Sequence, residues 1–127
     1  MTSKTILVTG ASGYIGGRLV EKLLKTDHHV ISMVRRPKQF KKKFKFKHEI
    51  RYADTMDKKS LDNAFKNVDI IFYLVHSMSD TKNFMEAEKI SAQNVVFAAN
   101  KNNIKRIIYL GGLFDENKQL SPHLESR

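Results

Sequence analysis

The sequence predicts an α/β fold in which helices cover both faces of a doubly wound parallel sheet. Short apolar runs alternate with segments whose apolar residues recur every three or four positions, which is typical of successive β-α-β units. The run at residues 69–75 (DIIFYLV) is apolar almost throughout, as expected of a central parallel strand. Right-handed crossovers then favour the strand order 3-2-1-4-5, with a ligand crevice where the order reverses between strands 1 and 4.

The positions of the individual elements follow from the same patterns. Strands are expected at residues 4–9, 29–34, 49–52, 69–75 and 106–110. Helices are expected at residues 14–25, 57–66 and 83–102. Their apolar residues at helical spacing are Ile15, Leu19, Val20, Leu23 and Leu24, then Leu61, Ala64 and Phe65, then Phe84, Ala87, Ile90, Val95 and Ala98. These apolar stripes are expected to pack against the sheet.

Residues 35–47 (RRPKQFKKKFKFK) hold much of the net charge of +10. We interpret this segment as a solvated loop, since blocks of like charge are usually solvated. Two alternatives remain open. One is a surface for nucleic acid or anionic membrane, and the other is a short strand with Phe40, Phe44 and Phe46 on one apolar face. Packing of these rings is favoured over stacking on bases, so a nucleic-acid partner is not expected.

Composition limits the class of protein. The length of 127 residues fits one domain. The absence of cysteine excludes disulfides and thiolate metal sites, and the histidines lack ligand-like spacing, so no metal is expected. No apolar run is long enough to span a bilayer, and the N-terminus lacks the layout of a secretory signal, which favours a cytoplasmic location.

The end of the chain suggests that the domain continues. Ser121-Pro122 is a helix start signal, and the chain stops within that helix. We therefore expect an N-terminal portion of a longer protein, truncated before the remaining strands of the sheet. The open edge of such a sheet could pair in a homo-oligomer.

The most informative motif is TGASGYIGG at residues 9–17, in which Gly10, Gly13 and Gly16 form GxxGxxG. It follows an apolar strand and opens an amphipathic helix, which is the context of a Rossmann-type dinucleotide site. The first glycine permits the tight turn, the second lets the backbone approach a diphosphate, and the third lets the helix pack closely on the strand. Three more residues at the helix start are predicted to contact the diphosphate: Ser12, Tyr14 and Ile15.

The end of the second strand predicts which nicotinamide dinucleotide is bound. An NAD site carries an acidic residue about 20 residues after the glycines, where this chain has Arg35 and Arg36. Guanidinium groups bind phosphate in bidentate fashion, so these arginines favour NADP(H) over NAD(H). The alternative is that they only begin the basic segment.

Two further segments follow the third and fourth strands, at the edge of the sheet where ligands bind. Asp54 is expected either to accept a hydrogen bond from the adenine amino group or to cap the next turn. Leu74, Val75 and His76 are expected to border the riboses. For His76, a structural hydrogen bond is the alternative role.

Several motifs together resemble one branch of a known superfamily. They are TGASGYIGGRLVEKLL, MVRRP, FYLVHSM, RIIYLGGL and LSPHLESR, and together they cover nearly the whole chain. The chain is similar to the atypical short-chain dehydrogenase/reductase superfamily, and within it to NAD(P)H-binding, NmrA-like and NAD-dependent epimerase/dehydratase-like proteins. The resemblance implies an NAD(P)-binding Rossmann domain that heads a longer oxidoreductase-like protein, acting on a small carbonyl or sugar-like substrate.

The resemblance also implies where catalysis would take place. The superfamily uses a Tyr-x-x-x-Lys helix and a serine after strand 5, and His123 and Arg127 occupy the tyrosine and lysine positions here. Histidine is a competent acid or base near neutral pH, and arginine could hold a ribose or phosphate. The serine is replaced around Gly111 and Gly112. These departures favour an alternative function, a regulatory protein that senses NADP(H) without turnover, as NmrA-like proteins are thought to do.

Overall fold

The structure, a computed structural model, describes residues 3–74 and 82–110, with side chains over 3–74 and 85–110. Its elements in chain order are β1 (Thr5–Thr9), α1 (Tyr14–Leu23), β2 (His29–Val34), α2 (Pro37–Lys43), β3 (Glu49–Tyr52), α3 (Lys58–Ala64), β4 (Ile70–Leu74), α4 (Lys82–Lys101) and β5 (Arg106–Leu110). The strands form one parallel sheet in the order β3-β2-β1-β4-β5, which confirms the predicted topology. The order reverses between β1 and β4, and this is the position of the expected crevice.

Two apolar cores lie on opposite faces of this sheet, because side chains alternate along each strand. On one face, Leu7, Ile31 and Ile71 lie in one row of paired residues and pack with α3 and α4. On the other face, Val8 and Val30 pack with α1 and α2. The two layers hold the carboxyl ends of the strands at a common edge of the sheet.

The basic segment 35–47 differs from its prediction. Residues Pro37–Lys43 form a helix in place of the expected loop or short strand. Pro37 suits the first turn of a helix because its φ angle is already helical. Phe40 is buried and stacks on Phe44, with ring centroids 5.0 Å apart, since residues four positions apart share one side of a helix. The prediction that the rings pack is confirmed for Phe40 and Phe44, whereas Phe46 is largely exposed, and the alternative of a short strand is wrong.

The apolar stripe of α4 is narrower than predicted. Val95 is buried, as expected, but the side chain of Ile90 is 43% exposed. At 100° per residue, Ile90 lies about 140° around the helix from Val95, so it faces away from the sheet. In α1, Ile15 is likewise exposed whereas Val20 is buried. The predicted stripes therefore include positions that the core does not reach.

Side chains hold α3 at both of its ends. At its start, Asp57 Oδ1 accepts hydrogen bonds from the backbone N–H groups of Lys59 and Ser60 at 3.1 and 3.3 Å. At its end, Arg51 Nη1 donates to the carbonyl oxygens of Ala64 and Lys66 at 2.6 and 2.8 Å. These contacts satisfy backbone groups that a helix leaves without partners. They also hold the loop between β3 and α3, which borders the site.

Candidate functional site

The loop between β1 and α1, residues 10–13, is the glycine loop, and it is shaped by a close approach of the backbone. Gly10 has a φ of +66°, in the left-handed region that favours glycine, and its carbonyl oxygen accepts a hydrogen bond from Gly13 N at 3.0 Å. A Cβ atom at Gly16 would lie 2.1 Å from that same carbonyl oxygen, so only glycine lets α1 pack this closely. The geometry agrees with the tight turn and close packing that the motif predicts.

The start of α1 offers its backbone donors to a ligand. Gly13 is the N-cap residue, and among the described residues no side chain caps this helix and no acidic residue lies in its first turn. The N–H groups at Tyr14 and Ile15 are therefore without the usual hydroxyl or carboxylate partner in this part of the chain. Such a helix start attracts anions through its N–H groups and the positive end of its dipole. The glycine loop thus fits a diphosphate group.

A cavity of about 340 Å³, the first cavity, opens beside the glycine loop at the carboxyl ends of β1 to β4. Predicted site residues that border it are Gly10, Ser12, Arg35, Asp54 and Leu74. The structure thus brings residues from four separate strand ends into one space. Its volume is in the range of pockets that hold small organic ligands. Contact of these residues with a cofactor stays a prediction.

A second cavity, of about 390 Å³, shares Ser12, Val34 and Arg35 with the first. Its further lining residues include Gly13, Gly17, Arg36, Gln39 and Lys43. Gln39 and Lys43 are absent from the sequence-based site because the basic segment was expected to be a loop. Their position could have been found from the helical spacing, because Arg36, Gln39 and Lys43 stand at i, i+3 and i+7, which lie on one side of a helix.

The loop after β3 is folded around Asp54 and tied to α4. Asp54 Oδ1 accepts a hydrogen bond from Met56 N at 2.9 Å, so this carboxylate shapes the turn, which is the alternative role expected for it. On α4, Asn94 Nδ2 donates to the Thr55 carbonyl oxygen at 2.8 Å, and Ser91 Oγ lies 2.9 Å from Thr55 Oγ1. These contacts fix the loop as one wall of the first cavity. A hydrogen bond from Asp54 to adenine stays a prediction.

Glu88 of α4 also lines the first cavity and was not found from the sequence. It is half-buried, and burial raises the pKa of its carboxyl group to about 7. Burial and the nearby charge of Glu88 raise the pKa of the Tyr73 phenol as well. Near neutral pH, Glu88 therefore exists in both protonated and ionised forms, and it can donate as well as accept a hydrogen bond. No local signal distinguishes it from the exposed Glu86 on the same helix.

A threonine hydroxyl connects the two strands at the crevice. Backbone pairing between β1 and β4 extends as far as Val8 and Phe72. One residue further along β1, Thr9 Oγ1 accepts a hydrogen bond from Leu74 N at 3.0 Å, and Thr9 is itself buried. The hydroxyl thus extends the contact between strands at the point where their order reverses.

Some predicted site residues lie outside the described residues. They are Val75, His76, His123 and Arg127; the side chain of Phe84, which was predicted for the apolar stripe of α4 and not for the site, is also outside the described residues. Their roles at the riboses and in catalysis stay predictions. Within residues 3–74 and 82–110, no cluster of histidine and carboxylate side chains is arranged to hold a metal ion. In that same part of the chain, no helix combines the length and the apolar character needed to cross a membrane.

Known proteins share this sequence pattern and fold. A family model described as NAD(P)H-binding matches residues 10–125. Cinnamoyl-CoA reductase 1 of Petunia hybrida is 27% identical over 121 residues, which cover 89% of this chain and 36% of the reductase. UDP-glucose 4-epimerase of Rickettsia bellii (strain OSU 85-389) is 28% identical over 124 residues, covering 84% of this chain and 36% of the epimerase.

A solved structure gives the same likeness. It is the NADPH-dependent quinone oxidoreductase QOR2 of Escherichia coli in complex with NADPH, which matches with a TM-score of 0.66 and 26% identity. The match covers 82% of this chain and 35% of the quinone oxidoreductase. The present chain thus spans just over a third of the length of each of these three proteins.

Proposed function

This chain belongs to the NAD(P)H-binding family, and from that membership we propose that its glycine loop and first cavity bind NADP(H). The predicted likeness to the short-chain dehydrogenase/reductase superfamily is confirmed by the reductase and epimerase relatives. The observation that carries the proposal is the contact of α1 with the glycine loop, where a Cβ at Gly16 would lie 2.1 Å from Gly10 O. This contact holds the uncapped start of α1 next to Gly10 and Ser12, which line the first cavity, and a diphosphate there would accept backbone hydrogen bonds.

The adenosine half of the dinucleotide would occupy the first cavity. The walls of this cavity come from the carboxyl ends of neighbouring strands, which is where open parallel sheets bind nucleotides. Met33, Ala53 and Leu74 supply apolar lining for an adenine ring. Because Asp54 Oδ1 closes the local turn, an adenine amino group would donate to Oδ2 of the same carboxylate.

Two arginines at the end of β2 favour NADP(H) over NAD(H). Arg35 and Arg36 are both exposed, and both line the second cavity. Among the described residues that line this cavity, none is acidic, so a ribose 2′-hydroxyl would find no carboxylate acceptor there. The relative QOR2, which was solved in complex with NADPH, supports the same choice.

Calorimetric titration of the purified protein with NADPH and NADH tests this proposal. We expect NADPH to bind about ten-fold more tightly than NADH, because the arginines pair with a charged phosphate. Arg35→Ala and Arg36→Ala should weaken NADPH binding much more than NADH binding. Equal losses for the two dinucleotides would reject the role in 2′-phosphate binding. A protein that binds neither dinucleotide would refute the proposed function.

In the whole protein, the activity that we propose is hydride transfer between NADP(H) and a small carbonyl or sugar-like substrate. The nicotinamide ring supplies the hydride chemistry when bound, and the chain holds and orients it. His123 would act as the acid or base, and Arg127 would hold a ribose or phosphate. The reductase, oxidoreductase and epimerase relatives support this class of reaction.

A regulatory protein that senses NADP(H) without turnover is the second candidate. It is favoured by His123 and Arg127 in place of the tyrosine and lysine, and by Gly111 and Gly112 near the serine position. Assays of the whole protein with NADPH and a panel of carbonyl and sugar-nucleotide substrates separate the two functions. Turnover that His123→Ala abolishes supports the enzyme. Tight NADPH binding without turnover on any substrate supports the regulator.

A further inference from the structure

Glu88 lies on the wall of the first cavity that α4 forms. The described residues of this helix that line the cavity are Ala87, Glu88 and Ser91. Ser91 Oγ lies 2.9 Å from Thr55 Oγ1, which joins this wall to the loop after β3. Glu88 stands three residues before Ser91, so the two side chains are neighbours on one side of the helix. Glu88 and Asp54 therefore border the same space from two different elements.

The carboxyl group of Glu88 is half-buried without a protein partner. Among the residues that the structure describes, none makes a hydrogen bond or an ion pair with this group. Burial alone raises its pKa, to about 7, whereas a cationic partner would lower the pKa. The proton and the oxygen lone pairs of Glu88 are therefore available to a molecule in the cavity.

The charged side chains of α3 contact α4 far from Glu88. Lys58 Nζ lies 5.1 Å from the ring centroid of Phe97, and Asp62 pairs with Lys101. Both contacts are more than two turns along α4 from Glu88. The charged residues closest to it on α4 itself are exposed: Glu86 and Lys89. Solvent screens charges at such positions, so they have little influence on the carboxyl group.

The sheet side of Glu88 carries two tyrosines. Burial and the charge of Glu88 raise the pKa of the Tyr73 phenol on β4, so this phenol is uncharged near neutral pH. Tyr109 of β5 lies beside Tyr73, with ring centroids 5.8 Å apart. Asp54 and Arg35 line the same cavity, from the loop after β3 and from the end of β2. These are the titratable groups that a ligand in the cavity would meet together with Glu88.

The adenosine half of the dinucleotide would occupy this cavity, and its base distinguishes the two forms of Glu88. Ring nitrogens of adenine that carry no hydrogen only accept hydrogen bonds, and the amino group donates them. A protonated carboxyl group can donate to such a nitrogen, whereas an ionised carboxylate can only accept. Ribose hydroxyl groups both donate and accept, so they would bind either form of Glu88.

We propose that Glu88 binds the adenine base through its protonated carboxyl group, which donates a hydrogen bond to a ring nitrogen. This inference rests on the proposed function, because it requires a dinucleotide seated in the first cavity. Asp54 Oδ2 accepts from the amino group of the base, and Glu88 donates to it from α4. An ionised Glu88 would set its lone pairs against those of the ring nitrogen. Dinucleotide binding is therefore coupled to uptake of a proton by Glu88.

Calorimetric titration of the purified protein with NADH at pH 6 and pH 8 tests the inference. NADH is the probe because it lacks the 2′-phosphate, which titrates in the same range. With a pKa of about 7, the protonated fraction of Glu88 falls from about 0.9 to about 0.1 over this interval. NADH should therefore bind about five- to ten-fold more weakly at pH 8. ADP-ribose, which has no nicotinamide, should show the same fall.

Glu88→Gln is the conservative variant, because an amide both donates and accepts hydrogen bonds at either pH. It should bind NADH within about two-fold of the wild-type affinity at pH 6 and keep this affinity at pH 8. Glu88→Ala should bind NADH about five-fold more weakly than the wild type at pH 6, without a further fall at pH 8. The matched control is Glu86→Gln, since Glu86 is exposed and lines neither cavity. This variant should keep the pH dependence of the wild type.

Proton uptake gives a second measurement. At pH 8, titrations in buffers of different ionisation enthalpy should show uptake of about one proton per NADH by the wild type and none by Glu88→Gln. A wild-type affinity that does not change with pH, or a fall that persists in Glu88→Gln, would overturn the inference and leave the proposed function intact. A fall with NADH but not with ADP-ribose would overturn the contact with adenine. A wild type that binds neither NADPH nor NADH at pH 6 would overturn both proposals.

Discussion

Gly16→Ala directly tests the close packing of α1 against the glycine loop. The new Cβ would lie 2.1 Å from the Gly10 carbonyl oxygen, 2.8 Å from the Gly10 carbonyl carbon and 3.0 Å from Ala11 Cα. Favourable contacts between carbon atoms lie at about 3.5–4.0 Å, so the helix and the loop must separate by about 1 Å. All three atoms belong to the backbone, and no change of rotamer relieves the overlap. The variant must therefore move α1 away from the turn.

The expected loss of stability follows from two opposing contributions. Inserting a methyl group into well-packed structure costs about 1–3 kcal/mol, and we place Gly16→Ala at the upper end because the overlap involves only backbone. Alanine in a helix is favoured over glycine by up to about 1 kcal/mol, which leaves a net loss of about 2 kcal/mol. In a chain of 127 residues, this loss lowers Tm by about 8 °C. NADPH affinity should fall by at least about ten-fold, because the diphosphate donors are displaced.

Gly17→Ala is the matched control for stability. Its Cβ would lie 3.6 Å from the Ala11 carbonyl oxygen and 3.9 Å from Phe44 Cε1, which are ordinary contacts. This variant should equal the wild type or exceed its stability by up to about 1 kcal/mol. Urea unfolding followed by circular dichroism measures both variants. A Gly16→Ala protein as stable as the wild type would show that α1 does not pack tightly against the glycine loop. Equal losses of stability in both variants would show that the contact with the Gly10 carbonyl group is not the cause.

Three further substitutions test other parts of the structure. The pKa of Glu88 is about 7 when folded and about 4.5 when unfolded, so the wild type loses stability as pH rises through this range. Glu88→Gln should match the wild type near pH 4.5 and exceed its unfolding free energy by about 1–2 kcal/mol at pH 8, a value reduced for partial exposure. A difference in unfolding free energy that does not change with pH, or the same pH dependence in Glu86→Gln, would contradict the raised pKa of Glu88. Asp57→Ala should cost about 1 kcal/mol in urea unfolding through loss of the α3 cap, and an unchanged midpoint would argue against capping. Phe40→Ala should cost about 3 kcal/mol and also weaken NADPH binding, since the buried ring holds the side of α2 that lines the second cavity; lower stability with unchanged NADPH affinity would count against that anchoring role.

The sheet and the glycine loop could be predicted because their signals are local. The apolar run at residues 69–75, which contains β4, has apolar side chains on both faces of the strand. Only a strand in the interior of a parallel sheet buries both of its faces. The spacing of Gly10 and Gly16 specifies a turn followed by a close approach of helix to strand within one short segment. Once the strands and helices had been predicted, the right-handedness of crossover connections left few possible strand orders.

Helix α2 and the place of Glu88 could not be predicted, for different physical reasons. Phe40 and Phe44 satisfy a repeat of two residues as well as one of four, so periodicity alone does not distinguish strand from helix. The position of Lys43 at a cavity follows only once α2 is known to be a helix. Glu88 lines the first cavity together with Thr55, which lies in a distant part of the sequence and is held to α4 by Asn94. Contacts between segments that are distant in the sequence cannot be predicted from the local spacing of apolar and polar residues.

The hydroxyl of Thr9 joins β1 to β4 at the crevice where the strand order reverses. Its Oγ1 accepts a hydrogen bond from Leu74 N, and this bond keeps the carboxyl ends of the two strands at one spacing. An opening whose dimensions are already set loses little conformational freedom on association. A nucleotide should thus enter with little backbone rearrangement, and the heat-capacity change should report mainly the apolar surface that it covers.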